Sequence, residues 1–197
     1  MTFVYKFLLC LVRVFLFFVH PVFRVRGKEN IPEGRAVICC NHSGLADPLW
    51  LLFGLWLPQM PVIMAKKEAM DVPVLGAFLR SVKVIGVDRG NSDVNAIKAA
   101  LKALRANEKM ILFPEGTRMK HGKTVQPKTG AAMLASRTDT PLLPVYLTRK
   151  RSLFSPMTMV IGKPFYVQTE GAKATAPELH AATDRLMNEI YAMEKTK

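Results

Sequence analysis

Three cysteines, two of them adjacent at Cys39 and Cys40, leave too little for a disulfide framework and suit a reducing compartment. Zinc-finger spacings of Cys and His are missing too. One side chain of an adjacent pair in a strand faces away from the other, so no metal is expected. The chain has no RNA-recognition signature and no ladder of alternating aromatic and basic residues. Acidic residues are scarce, 15 against 28 Lys and Arg, which gives a formal charge of +13 and implies an anionic partner. With those signatures absent, nucleic acid is the disfavoured partner. An anionic membrane surface or an acidic carrier protein is favoured. Repeats and low-complexity linkers are also lacking. At 197 residues, half of them hydrophobic, the chain is expected to fold as one domain with a real core.

What is present begins with residues 3–23, a strongly apolar and aromatic run interrupted by Lys6 and Arg13. Drawn as a helix, Lys6, Arg13 and His20 recur every seven residues and drift by only about 20° per step, forming one narrow polar stripe. A spanning helix would bury Arg13 near the bilayer centre at about 2.5–3.5 kcal/mol on insertion scales. A helix lying in the plane keeps the stripe among headgroups and the aromatics among acyl chains. No small-residue cleavage site follows the run. Residues 1–24 are therefore expected to form an amphipathic membrane-anchoring helix, monotopic or peripheral, ahead of a domain over residues 25–197.

Beyond the anchor, short apolar runs alternate with helical patterns, which predicts an α/β domain. The strand candidates are residues 36–40, 82–87, 110–113, 142–147 and 157–161. Helices are expected from Pro48, over 92–107 with Ser92 as cap, over 130–137, and over 177–193 with Leu179, Leu186, Met187, Ile190 and Tyr191 on one side. The apolar stretches 49–64 and 72–79 exceed what a small core needs and suit either core packing or an acyl-chain groove.

The most informative segment is Asn41-His42-Ser43-Gly44-Leu45-Ala46-Asp47, directly after the first strand candidate. On one continuous helix, His42 and Asp47 would point about 140° apart. With a turn at Gly44, Asp47 as the cap of a helix and Pro48 as its first residue, the carboxylate can reach one imidazole nitrogen and leave the other free as a general base. The same residues also suit a buried histidine beside a helix cap. Phe113-Pro114-Glu115-Gly116-Thr117-Arg118 follows another apolar run, and its arginine leaves a turn at a strand end.

Together these segments resemble the glycerophospholipid acyltransferase family, the enzymes that acylate lysophosphatidic acid and its relatives. Four signature blocks occur in order: Asn41-His42 with Asp47, Gly86-Val87-Asp88-Arg89, Phe113-Pro114-Glu115-Gly116-Thr117-Arg118, and Leu143-Pro144-Val145. Lys66-Lys67-Glu68 with Pro73 and Gly76 resembles the family's lysine-rich segment, and Gly27 with Asn30-Ile31-Pro32 its lead-in. Gly44 and Met119 stand where serines are common.

The resemblance implies a mixed, mostly parallel sheet flanked by helices. It also implies transfer of a fatty acyl group from acyl-CoA or acyl carrier protein to the free sn-2 hydroxyl of a lysophospholipid acceptor, lysophosphatidic acid, without a cofactor. His42 is then the base and Asp47 its orienting partner. Arg89, Glu115, Gly116, Thr117, Arg118 and Lys66 bind substrate, with Glu115 orienting Arg118 or meeting a glycerol hydroxyl. The implied setting is the cytoplasmic face of a bacterial cell membrane. Glycerol-3-phosphate or another lysolipid are alternative acceptors, Cys40 a rival covalent nucleophile, and a non-catalytic membrane- or nucleic-acid-binding protein the alternative class.

Overall fold

The computed structural model describes residues 20–71, 83–88, 93–119, 125–149 and 154–196, with Phe7, Cys10, Val14, Phe17 and Phe18 ahead of them. Among these residues the strands are β1 (Phe23–Arg26), β2 (Ala36–Cys40), β3 (Val62–Lys66), β4 (Val84–Val87), β5 (Lys109–Leu112), β6 (Leu142–Leu147) and β7 (Met157–Ile161). They form one sheet in the order β1-β7-β6-β2-β5-β3-β4. Every pairing is parallel except β6 with β7. The helices are α1 (Asp47–Leu55), α2 (Val94–Arg105), α3 (Gly130–Arg137) and α4 (Ala176–Ala192).

Strand β2 reads Ala-Val-Ile-Cys-Cys without a polar residue and is buried along its whole length. A strand covered on both faces needs such a run, and it belongs at the centre of a parallel sheet. Its side chains alternate between two cores. Ala36, Ile38 and Cys40 join Trp50, Leu51 and Leu55 of α1. Val37 and Cys39 join Ala100 and Leu104 of α2, Leu134 of α3 and Leu186 and Ile190 of α4. Helices on both faces thus sandwich the sheet. Helix α4 starts on a capping box, in which the Thr175 hydroxyl accepts from the Glu178 N–H and the Glu178 carboxylate from the Thr175 N–H.

Local chemistry moves several expected boundaries. The cap of α2 is Asp93, whose carboxylate accepts from Ala96 N–H at 2.9 Å and Asp88 N–H at 3.1 Å. Ser92, the expected cap, lies outside the described residues, as do residues 72–79. Strand β5 ends at Leu112, one residue before the expected Phe113. Two strands were not expected. Strand β1 lies at the end of the apolar N-terminal run and alternates half-buried Phe23 and Val25 with exposed Arg24 and Arg26. Strand β3 was hidden in the apolar stretch 49–64, which shows no period to separate helix from strand.

His20 also departs from the polar stripe drawn through Lys6 and Arg13. It is 7 % exposed, its ring donates from Nδ1 to the Ser155 carbonyl at 2.9 Å, and it meets Trp50 edge-on at 5.5 Å. It therefore belongs to the folded domain. Lys6 and Arg13 lie outside the described residues. Among the described residues no helix is long and apolar enough to cross a membrane.

Past the β2–β6 ladder, Asn41 takes over from the backbone. Its fully buried amide donates to the Leu147 carbonyl at 2.9 Å and accepts from the Leu147 N–H at 2.8 Å. Asn41→Ala strands both groups in the core and is expected to cost about 2–4 kcal/mol. Urea unfolding at constant m-value measures it, and a loss below 1 kcal/mol, within the usual range of single-group effects, overturns the assignment.

Candidate active site

The parallel strands β2, β5 and β6 are neighbours, and their carboxyl ends open on one edge of the sheet. In open α/β sheets this edge is where ligands bind. The chain leaves β2 through Asn41 and His42, turns over Gly44 and enters α1. The turn is organised by Asp47, which has no exposed surface. One oxygen, Oδ2, receives the Ser43 N–H at 2.7 Å, the Gly44 N–H at 2.9 Å and His42 Nδ1 at 2.9 Å. Asp47 is therefore the first residue of α1, with Ala46 at the cap position. Its carboxylate caps the preceding turn instead of its own helix.

A carboxylate has only lone pairs to offer, so the proton between it and His42 sits on Nδ1. The other nitrogen, Nε2, then carries a lone pair, and among the described residues it has no hydrogen-bond partner. The His42 side chain is 16 % exposed, enough for a ligand to reach. Phe113 stacks on the imidazole with centroids 4.2 Å apart and planes 25° from parallel. Its position just beyond β5 frees its ring for that contact.

The third block forms a strap around His42. Phe113, Pro114, Glu115 and Gly116 close a turn, with the Gly116 N–H donating to the Phe113 carbonyl at 2.9 Å. Gly116 has φ +67°, a conformation that a side chain strains. Glu115 Oε2 accepts from the His42 N–H at 2.9 Å, and the Met119 N–H donates to the His42 carbonyl at 2.7 Å. Both backbone groups of His42 are thus held by the segment from β5.

Glu115 is 2 % exposed, and its second oxygen accepts from the Tyr191 hydroxyl of α4. Burial pushes its carboxyl above the usual carboxylate range, against the pull of the Tyr191 hydroxyl, of the His42 N–H and ring, and of the Arg149 guanidinium. The sequence suggested contact with Arg118 or an acceptor hydroxyl. The hydrogen bonds here run to His42 and Tyr191 instead, because the turn faces Glu115 inward.

Thr117 and Arg118 are exposed at the mouth of the turn, and Gly116 is half-buried. Lys66 ends β3 on the same edge of the sheet, with Nζ 2.8 Å from the Glu68 carboxylate and both side chains exposed. Arg89 lies outside the described residues. Cys39 and Cys40 are fully buried, and burial pushes the Cys39 thiol far up. Among the described residues no group of three or more His, Cys, Asp or Glu side chains could hold a metal ion. Asn41, Phe113 and Tyr191 are the contributors that sequence reasoning missed. The first two lie inside the motifs, but their contacts cross strands. The only sequence signal for Tyr191 is a polar tip on the apolar side of a helix.

A family model described as Acyltransferase matches residues 22–148. The 1-acyl-sn-glycerol-3-phosphate acyltransferase of Bacillus subtilis is 33% identical over 177 residues, which cover 87% of each chain. That of Pseudomonas aeruginosa is 31% identical over 182 residues, 86% of this chain and 69% of the relative. That of Borreliella burgdorferi is 35% identical over 133 residues, 66% of this chain and 52% of the relative. The crystal structure of the 1-acyl-sn-glycerophosphate (LPA) acyltransferase from Thermotoga maritima matches 98% of this chain and 80% of its own with a TM-score of 0.72, at 24% identity, a likeness of fold. On the matched domain and these identities, the chain belongs to the acyltransferase family.

Proposed function

We propose that this acyltransferase moves a fatty acyl group from a thioester, acyl-CoA or acyl carrier protein, to the sn-2 hydroxyl of lysophosphatidic acid. The observation that carries the reading is the His42–Asp47 pair, with Nδ1 tied and Nε2 open at the mouth of the sheet. Nε2 takes the proton of the acceptor hydroxyl as its oxygen attacks the thioester carbonyl. The tetrahedral intermediate collapses with cleavage of the C–S bond, and the departing sulfur takes the proton back from the imidazolium. Asp47 holds the tautomer and stabilises the imidazolium. Arg118 and Lys66 meet the acceptor phosphate, with Arg89 as a third cation. The names of the relatives support lysophosphatidic acid as acceptor. The charge of +13 suits phosphate-bearing substrates and an acidic carrier.

The test is thiol release from acyl-CoA, or from acyl carrier protein, with lysophosphatidic acid as acceptor. His42→Ala is expected to lower turnover by about 10²–10⁴ while leaving folding intact. Wild-type turnover in His42→Ala overturns the base. Wild-type turnover with glycerol-3-phosphate alone overturns the acceptor.

The buried carboxylate of Glu115 has a cost in stability. Its folded-state pKa lies above the unfolded value, so its contribution to stability is most favourable below the unfolded pKa and is lost as pH rises through the folded one. Glu115→Gln keeps the shape without the charge. Relative to the wild type it is expected to gain thermal stability between pH 4 and pH 8, because only the wild type loses stability as Glu115 ionises. Tm at the two pH values decides, and a variant less stable at pH 8 than at pH 4 relative to wild type contradicts the assignment.

Membrane attachment through the apolar residues ahead of His20, lying in the interface plane, belongs to the same reading, while His20 and β1 are part of the domain. Phe7, Cys10, Val14, Phe17 and Phe18 have helical backbone and are exposed. At about 100° per residue they share an arc of about 100°. Burying a phenylalanine in acyl chains is worth about 1.5–3 kcal/mol, so Phe17→Ser with Phe18→Ser is expected to weaken partitioning to anionic liposomes by tenfold or more. Flotation checks this, and unchanged binding overturns it.

A further inference from the structure

The last turn of α4 reaches the active-site edge from outside residues 22–148, which the family model matches. Tyr191, in that turn, and Glu194, just beyond it, face the ends of β5 and β6. The Tyr191 hydroxyl donates to Glu115 Oε1. Just beyond the helix, Glu194 accepts from the Tyr146 hydroxyl at 2.9 Å and from Arg149 Nη2 at 2.6 Å. Arg149, on the stretch that follows β6, lies over the Tyr191 ring at 5.2 Å from its centroid. Tyr191 is thus held on its face by one element and bonded at its tip to another. Leu186 and Ile190, fully buried earlier on the same helix, fasten it to the domain.

We propose that Tyr191 is a positioning residue for acyl transfer, aligning His42 through Glu115. The chain of contact is Tyr191 hydroxyl, Glu115 carboxylate, His42 N–H. Each carboxylate oxygen receives one donor, an arrangement that the ionised form satisfies with both contacts as they stand. Protonation of Glu115 turns one oxygen into a donor, so one of the two contacts must reverse or lengthen and the grip on His42 changes. The proposal rests on the reading of His42 as the base, since only a base whose alignment limits turnover is sensitive to this chain.

The groups facing Glu115 come from three elements: His42 from the β2–α1 turn, Tyr191 from α4, and Arg149 from beyond β6. Against the turn that carries Glu115, from the stretch ahead of α3, the Lys128 stem lies beside Gly116 and the Lys128 N–H donates to the Pro114 carbonyl. Among the groups that stabilise the carboxylate, Tyr191 supplies a hydrogen bond. Its removal raises the Glu115 pKa further, so the protonated form persists to higher pH and activity fails earlier as pH falls.

The experiment measures kcat and kcat/KM from pH 5 to pH 9 for wild type, Tyr191→Phe, Glu115→Gln, the double variant and His42→Ala, with Tm as folding control. A hydrogen bond to a charged group corresponds to about tenfold in rate, so Tyr191→Phe is expected to lose about that factor in kcat. Its acid limb moves to higher pH, while the KM for acyl-CoA stays near the wild-type value. In the Glu115→Gln background the same substitution changes neither rate nor limb, because its route to His42 is already gone. If Tyr191→Phe loses its fold, the acid limb of Glu115→Gln serves instead, and it must fall off with one proton fewer than wild type.

A wild-type profile in Tyr191→Phe, or equal losses in both backgrounds, overturns the positioning role. Wild-type turnover in His42→Ala overturns the base itself, a separate result.

Discussion

A carboxylate without exposed surface must have its charge met by donors, and at Asp47 one oxygen meets three of them. Two are the backbone N–H groups of Ser43 and Gly44, which shape the turn from β2 into α1. The third is the imidazole of His42. A single buried charge therefore sets both the path of the chain and the tautomer of the ring. Loosening one loosens the other, because the turn and the ring hang on the same carboxylate oxygen. The remaining contacts at the site refine a geometry that this cluster imposes.

Around that cluster the sheet supplies rigidity. Strand β2 is central and wholly buried, and Asn41 extends its attachment to β6 by side-chain hydrogen bonds to Leu147. From the other neighbour, β5, come the Phe113 ring against His42 and the strap that occupies both His42 backbone groups. His42 is gripped at its ring face, its Nδ1, its N–H and its C=O, while Nε2 has no hydrogen-bond partner among the described residues. Preorganisation of this kind removes the entropic cost of aligning the base that we propose.

Glu115 shows the opposite balance. Its burial is unfavourable to the charge, yet its two donors need that charge. Stability given up at such a position is characteristic of sites held for a task. It also ties the C-terminal helix into a site otherwise built from the strand ends β2 and β5, so α4 does more than cover one face of the sheet.

Several elements were legible because their signal is local. Strands β2, β6 and β7 match the expected bounds, since apolar runs bracketed by turn residues need no distant partner to be recognised, and α3 matches its expected span. The His42-to-Asp47 spacing over a glycine likewise shows that the two can meet. Strands β1 and β3 were not legible. The first continues an apolar segment, and the second sits in a stretch with no period of its own.

The sequence by itself determined the α/β class, the motif order and the candidate His–Asp pair, all of which depend on residues near one another in the chain. Only the tertiary structure decided that Asp47 caps the turn rather than its helix, that Glu115 faces inward to His42, and that Tyr191 reaches it across 76 positions. Those outcomes depend on which strand ends lie side by side. Adjacency in a sheet is set by the packing of all its elements together, and no spacing within one segment encodes it.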